Sequence, residues 1–178
     1  PAPNYTFASG SAAGSIAGGT LVAGSQEDDT RVAVSAFPAG FAFSIYGTPG
    51  TRGTDDPAAI GRNLQDKFAW MLTETRDPFG NRITYHYGAD TGNDGSHAWR
   101  QPQLERIEYA EFDEAGQDRF LISVSFEFED RLDSFSDYRA GFEVRTTRRC
   151  SRIIVTTHVD AERVQRKYHL VYLDQRGV

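Results

Sequence analysis

In the run Ser123-Val124-Ser125-Phe126-Glu127-Phe128-Glu129, two carboxylates stand two residues apart behind a Ser-x-Ser. ADP-ribosyltransferases bring such a Glu-x-Glu pair and an upstream Ser-x-Ser strand together on the nicotinamide ribose. In those enzymes the two motifs come from separate elements, whereas here a single residue separates Ser125 from Glu127. The run therefore reads as alternation along one wet strand face, and Glu127 is assigned no catalytic role. A second arrangement begins at Asp90, with Asp94 fifth and Gly95 sixth, as an EF-hand calcium loop would want. Its third position is Gly92 and its twelfth is Gln101, where a bidentate glutamate is required. A polar surface loop over 88–102 is expected instead.

His86, His97, His158 and His169 show no metal-ligand spacing, and the one cysteine, Cys150, offers no zinc partner. His86, His158 and His169 fall in strand patterns, where a hydrogen-bonded histidine on a sheet face is expected. A Gly-x-Ser-x-Gly elbow and a glycine-rich phosphate loop before a helix are both absent from the sequence. Arg139, Arg145, Arg148, Arg149 and Arg152 crowd one stretch, just after the acidic Glu127, Glu129, Asp130, Asp133 and Asp137. An anion or nucleic-acid patch would use the arginines alone. Two strands paired as a hairpin would set the opposite charges against each other, and that is the preferred reading. No catalytic, cofactor-binding or metal-binding residue is assigned, and no cofactor is expected.

The elements that must carry these residues are strands. Of 178 residues, 12% are aromatic, and they fall in short alternating runs with no long 3.6-residue period. The net charge of −6 argues against nucleic acid as a partner. No apolar run approaches the roughly 20 residues that span a bilayer, so no membrane contact by this segment is expected. Residues 1–29 form a Gly/Ala/Ser-rich lead, expected to be partly ordered, and 30–178 a β domain. Both ends read as those of a segment from a longer polypeptide. The stretch 30–37 and the stretch 41–47 read as two strands joined by a turn at Pro38-Ala39-Gly40. One helical turn is expected near Pro57 to Ile60, and one strand over 67–77. Further strands are expected over 104–112, 119–130, 141–159 and 164–174. Along 121–129, Ile122, Val124, Phe126 and Phe128 share one face, and Leu121, Ser123, Ser125 and Glu127 share the other. Connections this short predict an antiparallel meander of about seven to nine twisted strands.

Between Arg76 and Arg82, Asp77-Pro78 starts a turn and Gly80-Asn81 supplies residues tolerant of positive φ. The strand that follows places Ile83, Tyr85 and Tyr87 on one face. Asp77, Gly80, Asn81, Tyr85 and Tyr87 together resemble the repeating unit of Rhs/YD-repeat shell proteins. The series 68–87, 126–153 and 168–177 resembles the SpvB-like N-terminal region of insecticidal toxin complex B components and plasmid virulence proteins. Its most specific part runs from Asp137 to Thr146, through Tyr138, Arg139, Gly141, Phe142, Glu143 and Arg145. The resemblance implies a fragment of a larger β-shell that encloses or carries a toxic effector, with no catalysis by this segment. It implies as partners the remaining domains of a parent chain and other toxin-complex subunits, and a secreted, extracellular location, with a cytoplasmic stage before export.

An exposed edge strand is expected, and with it a route to self-association. Another reading is a β-sandwich module that binds carbohydrate or a cell-surface protein through Trp70, Trp99 or Tyr138. A hydrolase assembled across loops is a third, for which no constellation stands out.

Overall fold

The computed structural model describes residues 14–16, 19–23, 32–34, 42–48, 55–62 and 67–173. These form strands and turns with no helix, so the all-β expectation holds. Strands β1 (Gly14–Ile16), β2 (Gly19–Ala23) and β3 (Val32–Val34) pair in sequence as a small antiparallel sheet. The first two lie in the Gly/Ala/Ser-rich lead; the remainder of that lead lies outside the described residues.

The main sheet has seven strands. They are β4 (Phe43–Tyr46), β7 (Leu72–Arg76), β8 (Arg82–Asn93), β9 (Ala98–Glu114), β10 (Gln117–Asp137), β11 (Val144–Thr157) and β12 (Arg163–His169). From β7 to β12 each strand hydrogen-bonds antiparallel to the next, and β4 adds to the free side of β7. This is the expected meander, carried on longer ladders than the sequence pattern suggests. Its seven strands fit the seven to nine expected, and the smaller sheets bring the described strands to twelve.

Four local expectations are corrected. The two strands flanking Pro38-Ala39-Gly40 do not pair: β3 joins β2, and β4 joins β7. The turn itself lies outside the described residues. What draws β4 to β7 is a ladder from Phe43↔Arg76 to Tyr46↔Leu72. The Thr73 hydroxyl reinforces it by donating to the carbonyls of Ile45 at 3.2 Å and Gly47 at 2.7 Å. In place of a helical turn near Pro57 stands a β-turn leading into β5 (Ala59–Gly61). Buried Asp56 fixes it, accepting from the amides of Ala58 at 2.9 Å and Thr48 at 3.0 Å. The single strand over 67–77 is two, β6 (Lys67–Trp70) and β7, divided at Met71. Met71 donates to Ala58 and accepts from Gly47, so its peptide groups serve both the β5–β6 pair and the main sheet.

The polar loop expected over 88–102 is mostly ladder. Pairing continues from Tyr87↔Leu104 to Asn93↔Ala98, leaving only residues 94–97 as the turn. Pro102, with no N–H to give, sits where β9 has a paired neighbour on one side alone.

Register places the two faces. One carries Tyr168, Ile153 and Phe126 in a row, then Val155, Val124, Ile107 and Tyr85. The other carries Glu74, Thr84, Glu108, Ser123 and Thr156. The apolar row is only part-buried: among the described residues the buried hydrophobic side chains are Ala58 and Ala59.

Candidate functional site: the junction of two hairpin arms

β9 and β10 pair from Glu114↔Gln117 only as far as Arg106↔Ser125. Beyond that point each continues with its other neighbour alone, so the sheet divides into a β8–β9 arm and a β10–β11 arm. The tips of the two arms meet again, through side chains. Arg145, near the start of β11, donates to Asp94 in the β8–β9 turn at 2.9 Å and to Glu143 at 2.5 Å. Its guanidinium lies 4.2 Å from the centre of the Trp99 ring. The same indole packs on Gly92, so tightly that a Cβ there would collide with its Cζ2. Thr146 donates to Gln101 at 2.8 Å, and Thr147 donates to Asp90.

Glu143 is the most enclosed charge of the junction, with its side chain 2% exposed. Its Oε1 accepts from Ser136 at 2.5 Å as well as from Arg145. Its Oε2 has no hydrogen-bond partner, and His97 Nδ1 stands 3.6 Å from it. His97 in turn meets Tyr138 edge-on, ring centres 6.4 Å apart. Ser136 and Arg145 hold the Glu143 carboxyl below its ordinary value. Asp94 accepts the amides of His97 and Ser96 as well as Arg145, and is pulled down to about 2. A doubly accepted arginine stacked on an indole is a clasp: it fixes orientation and has no reactive group to offer.

The Asp137–Thr146 stretch thus lies at this clasp. Asp137 accepts from the amide of Arg139 at 2.9 Å and its guanidinium at 2.7 Å, and the Arg139 side chain holds its pKa down. Gly141, at φ 79°, donates to Tyr138 and closes the turn. Phe142 is part-buried, whereas Tyr138 and Arg139 are exposed. The other singled-out group occupies the β7–β8 turn. There Asp77 accepts from the amides of Phe79 and Asn81 at 2.9 Å each and from the Asn81 amide group at 2.6 Å. That side-chain bond chiefly lowers the Asp77 pKa. Gly80 takes φ 93°, where a Cβ would be strained. Tyr85 lies on the apolar face, and the Tyr87 hydroxyl donates to Leu72 at 2.9 Å. The structure does not bring the two groups together: one shapes a turn at the sheet's root, the other ties the arm tips.

Cross-strand charge pairing between β10 and β11 is present. Arg152 meets Glu127 at 2.7 Å, Arg149 meets Glu129 at 2.8 Å, and Arg148 meets Asp130 at 3.7 Å. Glu127 and Ser125 lie on one unbroken strand, with Glu127 engaged by Arg152. Asp90 and Asp94, the calcium-loop acids, serve Thr147 and Arg145. Of the three aromatics named for a binding module, Trp99 is engaged by Arg145 and packs against Gly92, Trp70 is part-buried, and Tyr138 is exposed.

Two arrangements escaped the sequence. One is the clasp, whose halves lie 51 residues apart in Asp94 and Arg145. The other is a pair, Ser123 Oγ and His158 Nε2, at 2.8 Å. Its histidine borders an open cleft of about 490 Å³ with Glu108, Asp160 and Glu162. A nucleophilic serine needs its histidine oriented by a third group, and no described residue hydrogen-bonds the other ring nitrogen of His158. The pair satisfies a hydroxyl buried in the sheet (Ser123 is 5% exposed). His86 does likewise, bonding Glu108 at 2.7 Å.

A seven-stranded antiparallel sheet, forked and clasped, with two smaller sheets beside it, defines an all-β protein. Residues 107–159 match the family described as SpvB, Salmonella virulence plasmid 65kDa B protein. That stretch holds the paired root of β9–β11 and the clasp residues Glu143 and Arg145. The N-terminal domain of effector protein SpvB from Salmonella typhimurium strain LT2 is similar in structure, with TM-score 0.57 and 17% identity. The similarity covers 82% of this chain and 62% of that one. A TcdB2-TccC3-Cdc42 structure is similar at TM-score 0.54 and 18% identity, over 87% of this chain and 10% of that. The Tc holotoxin pore of Photorhabdus luminescens gives 0.55 and 19%, again over 87% and 10%. At these identities the likeness shows the fold. The resemblance to the SpvB-like N-terminal region holds. The chain spans less than two thirds of the SpvB domain's length and a tenth of the two Tc chains. No curated protein matches it.

Proposed function

We propose that this chain is a non-catalytic structural segment of an SpvB-like toxin-complex or virulence protein. Its strands contribute to a shell that encloses or carries a toxic effector. The observation that carries this reading is the clasp. Burying Glu143 and stacking Arg145 on Trp99 stiffens two long ribbons against each other, which suits a wall. The similarity of fold to the SpvB N-terminal domain and to chains of two Tc toxin structures supports the same reading. Its partners are then the other domains of a parent chain and other toxin-complex subunits, and its place is outside the cell, after a cytoplasmic stage. The YD-repeat likeness of the Asp77 turn belongs to this proposal: a turn pinned by five acceptor and donor groups is a unit that a shell can repeat.

The test is assembly. The full-length polypeptide carrying this segment is purified with and without Arg145→Glu, imaged by electron microscopy and treated with protease. A closed particle whose enclosed region resists digestion, and a variant particle that leaks, are expected. An open, compact particle that turns over a substrate and loses that activity on Ser123→Ala would overturn the reading.

A further inference from the structure

β12 closes one edge of the main sheet and, among the described residues, pairs only with β11. All seven of its residues are exposed. An edge strand presents unpaired N–H and C=O groups along its outer side. In a chain of net charge −6, β12 reads Arg-Val-Gln-Arg-Lys-Tyr-His, with three fixed cations and no acid. Register puts Arg166 on the face of Val155 and Lys167 on the face of Ile154, so cations stand on both faces. No described carboxylate lies within ion-pair distance of Arg163, Arg166 or Lys167; Arg166 bonds only the Tyr168 hydroxyl, at 3.3 Å.

The adjoining pair of strands displays what such a strand accepts. β11 offers Arg148, Arg149 and Arg152, and β10 answers with Asp130, Glu129 and Glu127. β12 repeats the basic half of that arrangement without the acidic half.

We infer that the outer edge of β12 takes, by strand addition, an extended acidic segment of a partner protein. Main-chain hydrogen bonds supply the attachment, and adjacent acids, one opposite Arg166 on one face and one opposite Lys167 on the other, select the partner. The same charges act against a second copy. Two β12 strands laid antiparallel set Arg166 against Arg166 or against Lys167 in the two central registers, and either like-charge pair costs free energy. Self-association through this edge, expected from its exposure alone, is therefore disfavoured. The inference stands apart from the shell reading, since a chain that built no shell would still pair this edge.

The probe is a short fluorescein-labelled peptide with two adjacent glutamates flanked by valines, titrated into the full chain and followed by anisotropy. Saturable binding that weakens as salt rises is expected, together with slowed amide exchange in β12. R166E/K167E should weaken it by about tenfold, since two exposed pairs each worth a fraction of a kcal/mol become repulsions. Should that variant unfold by circular dichroism, R166Q/K167Q serves, with a loss of roughly threefold. Equal binding of a lysine–valine peptide, indifference to either variant, or dimerisation of the wild type through β12 in sedimentation would each sink the inference.

Discussion

At Gly92 one added side chain decides whether the arms can meet. Trp99 packs on this residue and Arg145 lies over the Trp99 ring, so a valine must push the indole away. Gly92→Val is expected to destabilise by about 1–3 kcal/mol, the usual range for overpacking, as read from urea unfolding. Tyr87→Phe removes only the hydroxyl that reaches Leu72, and should lower stability by about 1 kcal/mol in the same assay. These two positions differ in how they could be read. Tyr87 announces its face by simple alternation. Gly92 looks like loop composition, because glycine and aspartate are ordinarily turn residues, and only the indole across the ladder explains it. Glu127 was legible for the opposite reason: its spacing from Ser125 alone argues against convergence.

At the scale of elements, the clasp is the part of the fold that responds to acid through two carboxyls. Asp94 and Glu143 titrate below their ordinary values in the folded arms. A carboxyl with a depressed folded pKa stabilises above its unfolded value and loses that contribution as pH falls through the folded one. The clasp should therefore be intact above about pH 4.5 and weaken on acidification, with the Asp94 share persisting down toward about 2. Trp99 fluorescence against pH measures this; in Arg145→Ala the change should begin at higher pH, because a main cause of both shifts is gone. A midpoint unmoved by that substitution would contradict the assignment. The Asp77 turn was visible in the sequence because every group that builds it lies within four residues. The clasp was not, since no local period links the β8–β9 turn to the start of β11. The paired arginines and acids of β10 and β11 lay between: composition suggested a hairpin, and its register then followed from the strands.

On the scale of the whole molecule, the sheet is wide and thinly covered. Ile107, Val124, Phe126, Ile153 and Val155 share one face, yet the described buried hydrophobic residues are two alanines elsewhere. The chain on its own should bind a hydrophobic dye such as ANS in its native state at neutral pH, with near-native far-ultraviolet dichroism. Dye binding confined to denatured protein would mean that the face is covered. The antiparallel meander was legible because alternation and short connections both bear on neighbouring strands. The pairing of β4 with β7 was not, since it skips β5 and β6 and depends on a sheet change at Met71.

The fork bears on shape. A long two-stranded ribbon left to itself coils with a strong right-handed twist. Here two such ribbons spring from a common root and are fastened at their far ends, so neither can wind without dragging the other. A handful of side chains around Arg145 thereby set the curvature of a surface many times their own area, and loosening them would change its form before it changed its strands.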